Sequence, residues 1–265
     1  MYCEGFVTAD APAGSYHLPN VVELATLIDN GAHEPAISSL FVGAAADGYW
    51  SSTPVVSGMA QGWTVRFDFG EIVPALATHG LRSRCVRGTY AAGRLHASGA
   101  LRADGGRLVD EESGLEWEAH PTPDRYTWSQ ALLHCASLEV DGEGGFHLPN
   151  QNELRSLLDY GASTPVRSDP EFTDLVPDTY WSSTPTFGIE SLVQSISFNL
   201  GVQDGVSVDS PAYAVCVRHL PAPPEDTPSD CGCHVGGTER GGDPHEEWWL
   251  LGLVAVVAVR RRRRG

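Results

Sequence analysis

The chain has 265 residues, 42% of them hydrophobic, enough for two domains of roughly 110 residues and a tail. Its formal net charge is −17, and five of its 17 basic residues are the arginine run 260–264, so the remainder sets 12 basic against 34 acidic residues. A body that acidic excludes nucleic acid and other polyanions as its partner. Lysine is absent altogether, which reads as arginine-biased codon usage and not as chemistry.

In chain order, the first segment is short. Tyr2-Cys3 aligns with His134-Cys135 further on, so the first of two copies is expected to lack an opening strand and half a helix, with further coding sequence and a signal peptide upstream. HLPN follows at 17–20, then a helix with Asn20 as N-cap, Glu23 closing a capping box, an apolar stripe of Leu24, Leu27 and Ile28, and Gly31 at its end. YWSSTP at 49–54 reads as a strand and CVRG stands at 85–88. All three motifs recur, as HLPN 147–150, YWSSTP 180–185 and CVRH 216–219, at offsets of 130, 131 and 131. A repeat of that period is a duplicated domain.

The second copy is complete. Residues 107–117 suggest a hairpin with Gly114 in its turn, and Leu115 and Trp117 pointing inward. Trp128, Ala131, Leu132, Cys135 and Leu138 share one face of a predicted helix that starts at Thr127, with Gln130 completing a capping box. A glycine-rich turn at 141–145 leads to HLPN, and Asn150, Glu153, Leu154, Leu157, Leu158 and Gly161 repeat the helix of the first copy. The strands YWSSTP, 191–201 and 212–220 complete it. The expected organisation is a first domain at 1–88, a connector at 89–106, a second domain at 107–219, a linker with Cys-Gly-Cys at 220–247, and a membrane-seeking end at 248–265.

Four of the six cysteines belong to the repeat, one near each end of each copy: Cys3 and Cys85, then Cys135 and Cys216. One start-to-end pair per copy reads as one disulfide per domain in an exported protein. Four buried free thiols in a cytosolic protein are the competing reading.

The order GL-x-W, TW-x-x-A-x-x-x-C, LP-x-x-x-EL-x-x-L-x-D, YWSST and CVR resembles the Lcl C-terminal domain family, named from the end domain of a bacterial collagen-like adhesin. The resemblance covers most of the chain, twice over. It implies an α+β fold of two tandem C-type-lectin-like domains, the first truncated at its N-terminus, in the fold group shared with formylglycine-generating enzymes. Where that family usually carries Trp-Arg before Leu-Pro, this chain has Tyr16-His17 and Phe146-His147, so any role of that arginine is lost or altered here.

The end of the chain carries Cys231 and Cys233, a spacer, twelve apolar residues from Trp248 to Val259, and the arginines. As a helix the apolar run spans about 18 Å, short of a ~30 Å hydrocarbon core. Trp248 and Trp249 suit one interface, and Arg260, Arg261 and their neighbours suit the cytoplasmic face. The arrangement resembles the myxobacterial C-terminal sorting tail. That resemblance implies export, transient anchoring, cleavage near Cys231 or Cys233 by a membrane-embedded sorting protease, and a lipid on cysteine. Zinc held by Cys231, Cys233, His234 and His245 is the alternative, and the spacing is wrong for a compact site.

His17 and His147 sit at equivalent positions and invite a catalytic reading, but the expected role is structural, a hydrogen bond near the helix start. Glu23 and Glu153 are accounted for by their capping boxes. Ser51, Ser52, Ser182 and Ser183 have no neighbouring histidine–acid pair. Trp50 and Trp181 read as core, with a sugar-stacking platform as the alternative. No catalytic residue, metal or cofactor is expected. The reading is a non-enzymatic surface recognition or adhesion protein with a glycan or protein ligand and a membrane at its tail, with ligand candidates at His17, Trp50, His147 and Trp181. A secreted enzyme on the same fold and a ligand-free coat protein are its rivals.

Overall fold

Each copy builds its sheet from the same stretch of sequence, and a computed structural model describes it for residues 3–56, 60–88, 101–162 and 172–221. The first copy opens with a 3-10 turn, Cys3–Gly5, followed by α1 (Val21–Ala25), β1 (Gly48–Pro54), β2 (Gln61–Arg66) and β3 (Glu71–Leu76). The Asn20 side chain accepts the Glu23 N–H at 2.8 Å and the Glu23 carboxylate accepts the Asn20 N–H at 2.8 Å, the reciprocal capping box expected from the sequence. The helix is shorter than its apolar stripe. Thr26 Oγ1 donates to the Glu23 carbonyl at 2.7 Å, and the next bonds, from the Leu27 and Ile28 N–H groups, tighten to three-residue spacing. Leu24 and Ile28 are still buried, but Ile28 is so by bridging Ile37 outside the helix.

The second copy adds a sheet. β4 (Leu101–Asp104), β5 (Arg107–Asp110) and β6 (Leu115–Glu118) form an antiparallel meander, with Gly114 at φ 70° in the turn before β6, where a side chain would be strained. Strand β4 lies within the segment read as a connector. Then come α2 (Trp128–Ser137), α3 (Gln151–Arg155), β7 (Thr179–Pro185), β8 (Leu192–Ser197), β9 (Val202–Ser207) and β10 (Val217–His219). β10 pairs with β6, giving the order β10-β6-β5-β4, while β7-β8-β9 repeats β1-β2-β3. Helix α2 turns Ala131 and Cys135 fully inward, as its spacing predicted. Helix α3 again stops after five residues, its end marked by Ser156 donating to the Glu153 carbonyl at 2.7 Å. The described residues are therefore mostly β-sheet with few helices, in two repeated regions.

Those regions do not keep separate cores. Residues 1–221 form one compact unit. Val65, Phe67 and Ile72 of the first copy lie in one apolar cluster with Tyr180, Ile196 and Phe198 of the second. A smaller cluster packs α2 over Trp181, Val193 and Cys216. Cys3 is bonded to Cys85 and Cys135 to Cys216, with Cα separations of 5.4 and 5.3 Å, so the start-to-end pairing is the one adopted. Cys231, Cys233, the apolar run from Trp248 and Trp249, and the arginines Arg260 and Arg261 lie outside the described residues. Among the described residues no helix is long and apolar enough to cross a membrane.

Candidate functional site

The three repeated motifs meet at one junction in each copy, and this explains why they recur together. In YWSSTP the strand bulges between Trp181 and Pro185. Ser182 Oγ fills the bulge by donating to the Gln194 carbonyl at 2.7 Å and accepting the Thr184 N–H at 3.2 Å. The Ser183 N–H then donates to the Pro149 carbonyl at 2.7 Å, and Thr184 Oγ1 accepts the Gln151 N–H at 2.9 Å, an orphan donor of the α3 start. Across the first copy, Ser51, Ser52, Thr53, Pro19 and Val21 make the same four kinds of bond. The third motif closes the junction: the His147 and Val217 backbones exchange two hydrogen bonds at 2.8 and 3.0 Å, as do His17 and Val86 at 2.9 and 3.0 Å. The hydroxyls of Ser51 and Ser182, which have no histidine–acid pair nearby in sequence, are thus part of the frame.

The capping glutamates carry the histidines. His17 Nε2 lies 3.4 Å from Glu23 Oε1, and His147 Nε2 lies 3.3 Å from Glu153 Oε2. A hydrogen bond near the helix start is what the sequence suggested for both. The second copy adds a group that sequence reasoning missed. His219, at the end of β10, places Nε2 3.4 Å from Glu153 Oε1. The His147 and His219 rings stack with centroids 5.6 Å apart and planes inclined by 26°. Burial works against charge on Glu153, but the hydrogen bond from His147, the Asn150 N–H and the nearby imidazoles outweigh it and hold the carboxyl below its usual range. The first copy has Gly88 where the second has His219, so the single letter separating CVRG from CVRH was the available signal.

Beside Glu23 the first copy has a cavity of about 330 Å³, walled by Leu24, Leu27, Phe41, Arg84 and Gly88. The Arg84 guanidinium lies over the Phe41 ring at 5.0 Å. Arg87 lines it as well, so mostly apolar walls carry one acid and two bases, a make-up that suits a small-ligand seat.

The two tryptophans are not equivalent. Trp181 is fully buried, its Nε1 donating to the Tyr126 carbonyl at 2.7 Å beneath α2. Trp50 is half-buried and lies against Gly62.

Another acid is deeply placed. Glu118 is 4% exposed, and burial pushes its carboxyl up to about 7 even though it accepts the Cys216 N–H at 2.7 Å. His134 lies near it, its imidazole kept below the usual range by burial. Cys216 is committed to its disulfide, so this group is not a set of metal ligands.

The family model of the Lcl C-terminal domain matches the chain twice, over residues 2–87 and again over 106–218. No curated protein matches the chain.

Proposed function

Because the chain belongs to the Lcl C-terminal domain family, with that domain present twice, we propose that it is a non-enzymatic recognition or adhesion protein displayed at the cell surface. We assign each copy to the α+β, C-type-lectin-like type, on the support of a capped helix start docked against a three-stranded sheet. The tail, with Cys231 and Cys233, is read as a myxobacterial sorting signal, which makes a membrane and a sorting protease its partners. The ligand is a neutral glycan or a protein segment, since a net charge of −17 repels sulfated chains and nucleic acid. Its proposed seat is the cavity beside Glu23.

One observation carries recognition over turnover. In each copy the cysteines and the buried serine are committed to its frame: the cysteines to disulfides, Ser51 and Ser182 to carbonyl oxygens 2.6 and 2.7 Å away.

The test uses the full-length chain with an affinity tag. Protease treatment of intact cells should remove it from the surface, and the purified chain should bind saturably on an array of neutral glycans and cell-surface polysaccharide. Thr26→Trp, at the exposed rim of the cavity, should abolish that binding and leave the disulfides intact. A cytosolic chain with free thiols overturns the surface reading. Conversion of an array ligand to product overturns the non-enzymatic one, and an absence of any binding favours the coat-protein rival.

A further inference from the structure

In the second copy, three ligand-type atoms from three parts of the chain converge on one point. His147, Glu153 and His219 offer one ligand atom each, and these atoms all lie within 4.8 Å of one another. From the geometry we infer that His147, Glu153 and His219 bind a divalent transition ion of the zinc class.

Spacing comes first. Zinc sits about 2.1 Å from imidazole nitrogen and carboxylate oxygen, so ligand atoms around it stand roughly 3.0–3.5 Å apart. The two carboxylate–imidazole distances are 3.3 and 3.4 Å. They run to the two different oxygens of Glu153, Oε2 and Oε1, so the carboxylate stands between the imidazoles at ligand spacing from each.

Orientation comes second. The Asn150 N–H donates to Glu153 Oε2 at 2.7 Å, which fixes the carboxylate plane before any ion arrives. His147 is held by its two backbone bonds to Val217, and His219 follows two residues later on β10, so both imidazoles spring from one paired piece of backbone. With Nε2 of each facing the carboxylate, both rings present a lone pair when their protons are on Nδ1.

Ligand type selects the ion. Two imidazoles and one carboxylate suit zinc, nickel, cobalt or copper; calcium and magnesium ask for oxygen. The strongly acidic surface raises the local cation concentration. Glu153 is only 10% exposed, whereas His147 and His219 are 40% and 70% exposed. The remaining coordination positions thus face solvent, open to water or to a donor from outside the chain.

The first copy supplies an internal control. It repeats His17, Glu23 and their bond but has Gly88 in place of the second imidazole. Two ligands hold such an ion far more weakly than three, so only the second copy should bind. This inference does not depend on the recognition reading.

The test titrates the metal-free full-length chain with zinc chloride by calorimetry, with 15N-edited NMR of the histidine side chains. Wild type should take up one equivalent that shifts the ring nitrogens of His147 and His219. His219→Ala, at an exposed strand end where folding is not at stake, should lose at least about tenfold in affinity. Glu153→Gln should lose a comparable factor and can still close the capping box. His17→Ala should leave the equivalent intact. Uptake that is unchanged in both His219→Ala and Glu153→Gln overturns the assignment and points to the tail residues Cys231, Cys233, His234 and His245. No uptake by wild type at micromolar zinc overturns it as well.

Discussion

Trp63 of the first copy meets Tyr160 of the second edge to face, ring centroids 4.9 Å apart and planes at 74°. Trp63 is 2% exposed and Tyr160 fully buried, so this pair lies in the core that the copies share. A duplicated domain whose halves shared nothing would melt in two steps. Here, removing one side of the pair damages both halves.

Trp63→Ala should accordingly cost about 3–5 kcal/mol, and the loss should appear in the whole unit. Urea unfolding followed by fluorescence and by far-UV circular dichroism should give coincident transitions for wild type and variant. Separate transitions for the two copies would show that the contact does not couple them.

Near the same core, Arg155 is wholly buried, and burial draws its guanidinium down to about 10. Nη1 donates to Asn152 Oδ1 at 3.0 Å, while Nε and Nη2 meet no acceptor among the described residues. The first copy has Ala25 at this position, so the junction forms without a charge there. Replacing a buried, under-partnered charge by an apolar group of similar volume is neutral or stabilising by about 1–4 kcal/mol. Arg155→Met should therefore raise the urea midpoint or leave it in place, whereas Arg155→Ala should lower it by leaving a void. A large loss in Arg155→Met would mean that the guanidinium has a partner of consequence.

These contrasts show how far the sequence could be read. Capping boxes at Asn20, Thr127 and Asn150 were legible because their bonds are local, three residues apart. The pairing Cys3–Cys85 and Cys135–Cys216 was legible from placement within the repeat. What escaped lies where the copies differ. Tyr160 stands against Asn30, Arg155 against Ala25, and His219 against Gly88; each substitution marks a place where one copy meets the other or carries an extra group. Periodicity reports which face of an element is buried, not which partner buries it. The short α1 and α3 escaped for another reason: Leu157 and Leu158 are buried as an apolar stripe requires, yet the backbone beneath them has left the helix after Ser156.

The two disulfides close loops of almost equal length, with sequence separations of 82 and 81, but differ in access. Cys135, on the inner face of α2, and Cys216 are wholly buried, whereas Cys85 is half-buried. Mild reductant with alkylation should label Cys3 and Cys85 first, and Cys135 and Cys216 only once the unit opens; peptide mass spectrometry reads the order. Cys135→Ser with Cys216→Ser should cost about 2–5 kcal/mol. Simultaneous labelling of all four would contradict the difference in access.

Glu118 gives the clearest dependence on pH. Its carboxyl is pushed up to about 7 by burial, against 4.5 for the exposed group. Between those values the folded chain holds a proton that the unfolded chain has released, so stability falls as pH rises. The contribution is complete below about 4.5 and gone above about 7, and a shift of that size corresponds to roughly 3 kcal/mol. His134 acts in the opposite sense, since its lowered value makes acid unfavourable to the folded state; comparison with a variant at Glu118 removes that background. Glu118→Gln stays neutral and can still accept the Cys216 N–H. It should match wild type near pH 4.5, exceed it in melting temperature at pH 8, and show the difference opening steadily between. A difference that does not change with pH would mean that Glu118 is ionised throughout and that a cation outside the described contacts holds it.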